Sequence, residues 1–143
     1  MTGPAIPNNF REGPAPGQVS SYDVEGDLST LQYTFVELDT SRARCVKAYS
    51  SGFPTGVLVN RPVKTATATA FSLIAMVQTA GKALITAGSG GIALGDLVKV
   101  TTGGKVIKAT PADKDLIVGQ CEFPAADNAV GTIRLFTTYV SMT

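Results

Sequence analysis

The stretch KALITAGSGGIALGDLVKVTTGGKVIKAT, residues 82–110, decides the fold class of this chain. Short apolar runs in it alternate with turns made of Gly, Ser, Asp and Thr. Glycine supplies the positive φ that such turns need, because it has no Cβ to clash. Short β-branched runs closed by turns at this spacing predict a small antiparallel β-barrel or sandwich. No helix of ordinary length fits between these glycines.

The composition indicates one domain whose surface is partly covered. A chain of 143 residues suits a single domain and buries about two thirds of its unfolded surface, which is enough for a core. Only 16% of the residues are charged, against about 25% in an average soluble protein. We infer that copies of the chain or a larger partner cover part of the surface. The alternative is a monomer with a Thr, Ser and Gly surface.

The net charge of +1 is unevenly distributed. Residues 1–39 hold six acidic and one basic residue (−5), residues 40–108 nine basic and one acidic (+8), and residues 109–143 four acidic and two basic (−2). This asymmetry favours head-to-tail contacts between copies, or between an arm and the body. The basic residues are scattered singly without interleaved aromatic residues, so no nucleic-acid partner is predicted. We expect no signal peptide, and the longest apolar run, residues 70–77, is too short for a membrane span.

Residues 1–20 are predicted to form an extended Pro/Gly-rich N-terminal arm, and residues 21–143 a β-barrel or sandwich domain. Four of the eight prolines lie in the arm, and proline lacks the N–H that helices and sheets need. Its large apolar residues are few, with Ile6 and Phe10 the exceptions, so the arm cannot pack a core by itself. It is either disordered or laid out on a partner; a terminus without a role is the alternative.

Apolar and polar alternation predicts eight to ten short strands at a spacing near ten residues. Residues 28–38 and 43–49 are predicted strands that could pair as a hairpin. Residues 19–26 are predicted as a transition with a turn at 23–27, and residues 50–56 as a loop. Residues 71–78 fit a short helix or a strand, and we favour the strand. The remaining predictions are strands at 57–59, 116–122 and 132–140, a turn at 111–114 and a separating loop at 124–131. The fold class is therefore all-β with at most one short helix.

Residues 88–93 match the pattern G-x-G-x-x-A, a loose dinucleotide fingerprint. That motif needs a helix beginning at the glycines, whose N-terminus holds the pyrophosphate, and Gly95-Asp96 breaks any helix here. The chain has no histidine, which excludes Ser-His and Cys-His nucleophile systems. We therefore predict no enzyme activity, no nucleotide and no other cofactor.

Two groups of carboxylates and two cysteines are the remaining candidates for chemistry. Asp113 and Asp115 could act as a pair, and Asp23, Glu25 and Asp27 could bind calcium, but their spacing lacks the EF-hand glycine and terminal glutamate. Solvated loops are the favoured interpretation of both groups, and no metal site is predicted. The cysteines, Cys45 and Cys121, could form a disulfide, although two reduced buried thiols are favoured.

Five segments together resemble the small capsid decoration, or cement, proteins of tailed bacteriophages. The segments lie at residues 55–62, 87–98, 104–109, 118–120 and 131–135. They read TGVLVNRP, AG…IALGDLV, GKV…KA, VGQ and GTIRL. The resemblance covers about residues 53–136. It implies a structural protein without enzyme activity, made in the host cytoplasm and placed on the outer surface of the capsid. Homotrimers of such proteins bind the major capsid protein and stabilise the contacts between its copies.

A Pro-rich arm suits an extended segment that adds to an exposed sheet edge on the shell. Ile6, Phe10 and Arg11 are the expected capsid-contact residues. Two alternatives remain: another virion subunit, such as a tail-tube or minor shell protein, and a β module that binds glycans or a cell surface. The absence of Trp and the presence of only four Tyr count against a sugar site.

Overall fold

The computed structural model describes residues 18–63, 74–110 and 116–139, which form ten β-strands with no helix among them. In chain order the strands are β1 (Val19–Val24), β2 (Phe35–Leu38), β3 (Cys45–Ala48), β4 (Pro54–Leu58), β5 (Ile74–Gln78), β6 (Lys82–Thr86), β7 (Leu97–Val100), β8 (Val106–Lys108), β9 (Leu116–Phe123) and β10 (Val130–Tyr139). The predicted all-β fold is confirmed.

The first five strands form a closed barrel in the order β1-β3-β2-β4-β5. The barrel closes where β5 pairs antiparallel with β1, with Gln78 opposite Val19. One pair departs from the predicted antiparallel pattern, because β1 and β3 run parallel. The core of the barrel is apolar and consists of Val24, Leu28, Val36, Val46, Leu58, Ala75 and Val77.

The last five strands form a second sheet in the order β6-β10-β9-β7-β8, with antiparallel pairing throughout. A single parallel bridge between Ala87 and Val106 joins the chain after β6 to β8, so the two outer strands come together and the sheet curls round its core. This core includes Ala83, Ile85, Ala87, Ile92, Val98, Val106, Val118, Cys121 and Ile133.

Two residues of the barrel strands pack into the core of the second sheet. Phe35 of β2 and Val57 of β4 belong to the core of the second sheet. The Phe35 N–H donates to the Gly104 carbonyl at 2.8 Å, and the Thr86 N–H donates to the Tyr33 carbonyl at 2.8 Å. Gly104 has a φ of 83°, and a Cβ at this position would overlap the Phe35 carbonyl oxygen. Only glycine satisfies both conditions, so Gly104 fixes how closely the two units approach.

The predicted strand at residues 28–38 is wrong over its first seven residues, since β2 begins at Phe35. Leu31 and Thr34 donate backbone hydrogen bonds to Leu28 and Leu31, respectively, which are turn bonds, and Tyr33 has a φ of 65°. The alternation misled because Leu28 is a buried part of the barrel core, against which Leu31 packs, although neither lies in a strand. A turn with buried residues can therefore show the same alternation of apolar and polar residues as a strand.

Three further boundaries needed correction. Residues 19–24 form β1 rather than a transition, because pairing with β5 holds a segment whose outward residues are polar. The predicted loop at 50–56 ends earlier, since Pro54 begins β4, a position where proline's missing N–H is tolerated. β10 also begins inside the loop predicted at 124–131, at Val130.

Several predictions are confirmed, and some lie outside the described residues. β2 and β3 form the predicted antiparallel hairpin, and the segment ending at Gln78 is the favoured strand. Residues 71–73 and the predicted turn at 111–114 lie outside the described residues, as do Asp113 and Asp115. The same holds for residues 1–17 of the predicted arm, whereas Val19 is the first residue of β1.

Candidate functional site

The outer face of the second sheet carries an exposed apolar patch. Strand register places Leu84 of β6 and Phe123 of β9 on either side of Thr132 of β10. Val130 lies two residues from Thr132 on the same face. Leu84, Phe123 and Val130 are 38%, 63% and 44% exposed, whereas Thr132 is buried between its larger neighbours. These four residues, called the patch below, line a shallow hollow of about 480 Å³.

Charged residues border one end of the patch and form ion pairs with one another. Glu122 accepts an ion pair from Lys82 at 3.1 Å and one from Arg134 at 3.6 Å. The Arg134 guanidinium also lies 5.0 Å from the centre of the Phe136 ring. All three charged side chains are partly exposed, so these pairs add little stability. Lys82 and Glu122, the charged residues that line the hollow, are thus paired with each other.

The loop after β6 brings a further apolar side chain beside the patch. Ile92 pairs with Ala125, and the Gly95 N–H donates to the Cys121 carbonyl at 2.9 Å. These bonds place Leu94, which is 71% exposed, alongside the segment that carries Phe123. The glycine loop at residues 88–93 serves this pairing: it turns through a Gly91–Gly88 backbone bond, and no helix begins there. The structure thus agrees with the prediction that no helix follows these glycines.

A cavity of about 720 Å³ forms a groove between the barrel and the second sheet. One wall is the loop from Tyr49 to Pro54, which carries Phe53 with 61% exposure. The other wall belongs to β7, β8 and β9, where Val100, Ile107 and Leu116 face the groove. Hydroxyl side chains line its border: Ser50, Ser51, Thr101 and Thr102.

A buried carboxylate holds the Phe53 loop in place. Oε1 of Glu37 accepts hydrogen bonds from the backbone N–H groups of Ser50 at 2.7 Å, Ser51 at 3.2 Å and Gly52 at 3.0 Å. Burial by itself would raise the pKa of the Glu37 carboxyl. The three backbone donors and the Lys47 ammonium, 3.9 Å from Oε2, outweigh burial and lower that pKa below its usual 4.5. The ionised carboxylate therefore fixes the loop.

The three carboxylates that could bind calcium, Asp23, Glu25 and Asp27, do not converge on one another. Asp27 accepts a bond from the Ser29 N–H, and Glu25 pairs with Arg42 at 3.4 Å. A different group forms instead, in which oxygens of Glu25 and Asp39 and the Cys45 sulfur lie within 4.8 Å of one another. The Arg42 guanidinium sits beside this group and donates to the Val24 carbonyl at 2.9 Å. A fixed cation next to the ligands disfavours a bound metal ion there.

Both thiols are free and buried, which is the favoured prediction. Cys45 lies in the barrel and Cys121 in the core of the second sheet. Burial raises the pKa of the Cys121 thiol, because an apolar environment disfavours the thiolate. Cys121 therefore lacks the environment of a reactive nucleophile. No helix that could cross a membrane occurs among the described residues.

The predicted contact residues and the patch lie in different parts of the chain. Ile6, Phe10 and Arg11 lie outside the described residues and stay predictions. The patch was missed, although its signal is visible in β6, where Leu84 stands between Ala83 and Ile85, both fully buried. In a strand such neighbours face opposite sides, so Leu84 must face outward. Leu84 is the apolar residue of the outward face, which it shares with Lys82 and Thr86, and the sequence does not say whether a partner covers that face.

This chain is similar in fold to solved structures of phage proteins. No protein-family model and no curated protein matches the sequence. The crystal structure of the N base of head fiber gp8.5 in bacteriophage phi29 is similar, with a TM-score of 0.58 and 14% identity, over 85% of this chain and 96% of that one. A chain in the capsid of Myoviridae phage XM1 is similar, with a TM-score of 0.60 and 19% identity, over 84% of this chain and 83% of that one. The resemblance to capsid-associated phage proteins is thereby confirmed for the fold.

Proposed function

We propose that this protein is a structural component of a phage virion. It binds the outer surface of the capsid and stabilises the contacts between major capsid proteins. The observation that carries the proposal is the likeness in fold to two phage head components over more than four fifths of the chain. The sequence motifs give independent support, because they resemble decoration proteins and fall on strands β4, β7, β8, β9 and β10 of the same fold. No catalytic step is part of the proposed role.

Ile6, Phe10 and Arg11 are the proposed capsid contacts. They lie ahead of β1, so they can extend from a folded body without disturbing its strands. The low charge fits a subunit that neighbours cover, and the unequal charge of its segments fits contacts between copies of a homotrimer. An arm that adds backbone hydrogen bonds to a shell gains affinity through main-chain pairing, with apolar side chains supplying specificity.

Co-sedimentation with empty heads that lack this protein tests the proposal. The full chain is expected to bind saturably and to raise the temperature at which the heads break. Deleting residues 2–17 should abolish binding yet keep Gln18, whose carbonyl accepts from the Thr79 N–H at 2.9 Å. Phe10→Ser should weaken binding, whereas Leu38→Ser, which removes an exposed apolar side chain from β2, should not. Full binding by the deletion variant would remove the arm from the proposal, and no binding by the full chain would refute it.

Solution mass separates this role from another virion role. A homotrimer that does not polymerise further is expected for a decoration protein. Rings or tubes would favour a tail-tube or minor shell subunit instead. Sedimentation velocity on the purified full chain distinguishes these outcomes.

Glycan binding is a second candidate because of one observation, the groove beside Phe53. An exposed aromatic ring on a loop fixed by Glu37, bordered by hydroxyl side chains, offers the stacking face and hydrogen-bonding groups that sugars use. A glycan array with the full chain and with Phe53→Ser tests it. Binding that the substitution removes would support the candidate, and an array without binding would dismiss it.

A further inference from the structure

The start of β1 lies next to the turn that precedes β6. β1 runs antiparallel to β5, from Val19 opposite Gln78 to Asp23 opposite Ile74. The chain before β1 therefore emerges at the end where β5 connects to β6. Gln18 is held there, because its carbonyl accepts from the Thr79 N–H at 2.9 Å and its side chain covers Gly81, the residue before β6. β6 then carries Leu84 of the patch.

The hollow in the patch suits an uncharged, apolar side chain. Its walls are Leu84, Phe123 and Val130, and the charged groups at its border, Lys82 and Glu122, pair with each other at 3.1 Å. A charged ligand group would lose its hydration on entering the hollow, whose walls are apolar. An apolar side chain would cover exposed hydrocarbon without breaking the pair.

We propose that residues 1–17 of the same chain dock on the patch, with the ring of Phe10 in the hollow. Met1, Ile6 and Phe10 are the large apolar residues of that segment. Phe10 is eight residues from Gln18, a distance of about 25 Å if the proline-containing link is extended. The patch spans three neighbouring strands, roughly 10 Å across, and begins at the strand that follows Gly81. The link therefore reaches every part of the patch with length to spare.

The same chain is a better source of the docked segment than another copy. A short connection gives an effective concentration in the millimolar range, which an unassembled second copy matches only in concentrated solution. Another exposed apolar pair, Ile74 and Met76, lies on β5. These residues are opposite Asp23 and Ser21, toward the far end of β1 from Val19. Direction and distance thus both favour the patch. This inference concerns the isolated chain and does not depend on the capsid role.

Methyl NMR on the full chain with labelled Leu and Val tests the inference. The Phe10 ring should displace the methyl resonances of Leu84 and Val130 upfield, and the displacement should persist on dilution. Phe10→Leu keeps an apolar side chain but has no ring, so the ring-current displacement should disappear. Deleting residues 2–17 should shift both sets of resonances, whereas Leu38, which lies on β2 outside the patch, should be unaffected and serves as the control reporter.

Each outcome bears on the inference. Displacement of Leu84 and Val130 that is lost in both variants and independent of concentration supports it. Identical spectra for the full chain and the deletion variant overturn it. Displacement that disappears on dilution, and that a separate peptide of residues 1–17 restores in the deletion variant, also overturns docking within one chain, because the segment then binds another copy.

Discussion

Gly104→Ala is expected to weaken the contact between the barrel and the second sheet and so to lower the free energy of unfolding. Gly103→Ala is its matched control. Both glycines have a φ above 80°, but a Cβ at position 103 meets open space, while one at position 104 overlaps the Phe35 carbonyl oxygen. The left-handed conformation costs a non-glycine residue roughly 1–2 kcal/mol. The lower unfolded-state entropy of alanine offsets about 0.4–1 kcal/mol of this cost. Gly103→Ala should therefore lower the free energy of unfolding by roughly 1 kcal/mol.

Gly104→Ala adds a displacement of the Phe35 backbone. This displacement breaks the 2.8 Å bond from the Phe35 N–H to residue 104, which contributes about 0.5–1.5 kcal/mol. It also moves a buried ring in the core of the second sheet, where overpacking costs about 1–3 kcal/mol. The two variants should thus differ by about 2–4 kcal/mol in the free energy of unfolding.

Urea unfolding followed by far-UV circular dichroism measures this difference. With a slope of about 2 kcal/mol per molar urea, the midpoint of Gly104→Ala should lie roughly 1–2 M below that of Gly103→Ala. Equal midpoints for the two variants would refute the reasoning. They would mean that the approach of Gly104 to Phe35 does not constrain how the barrel meets the second sheet.

Three further predictions concern single side chains. Glu37→Gln should lower the free energy of unfolding at neutral pH by about 1.5–3 kcal/mol, because a charged acceptor of three backbone donors is lost. The folded-state pKa of Glu37 is lowered, so its contribution is present above the usual 4.5 and declines as pH falls through the folded-state pKa. Urea midpoints of both proteins from pH 7 to pH 3 should therefore converge in acid, and a constant gap would contradict this. Cys45 and Cys121 should resist alkylation until urea unfolds the chain, as measured by intact mass, since both are buried; rapid labelling of the native protein would show that burial is wrong. Ile85→Ala should cost about 2–5 kcal/mol in urea unfolding and Leu84→Ala less than about 1 kcal/mol, because these neighbours face opposite sides of β6; equal losses would contradict the assigned register.

The strands that were predicted well are those whose signals are local. β6, β7 and β8 lie between the glycine turns of residues 82–110, where the turn residues and β-branched runs agree. The prediction was wrong at β1 because Ser20, Ser21 and Asp23 are residue types common in loops. They form a strand only by pairing with β5. Residues 28–34 failed in the opposite way, since buried turn residues produced a strand-like alternation.

The candidate site was less accessible to sequence reasoning than the fold. The patch requires Leu84, Phe123 and Val130 to meet on one face, and these residues come from three strands, of which β6 lies far from β9 and β10 in the chain. The Glu37 carboxylate gave no local signal either, because its donors, Ser50, Ser51 and Gly52, lie beyond the β2–β3 hairpin. Only the resemblance to decoration proteins pointed to a role.

The sequence by itself determined the all-β class, most strand positions and the turns, because side-chain alternation and the φ preference of glycine act within a few residues. Tertiary structure alone decided that the strands form a closed barrel followed by a curled sheet, and that β1 and β3 run parallel. It also decided that Phe35 and Val57, which lie on barrel strands, pack into the core of the second sheet. These features depend on pairing and burial between segments far apart in the chain. The free energy of such contacts belongs to pairs of segments, and no single stretch of sequence encodes it.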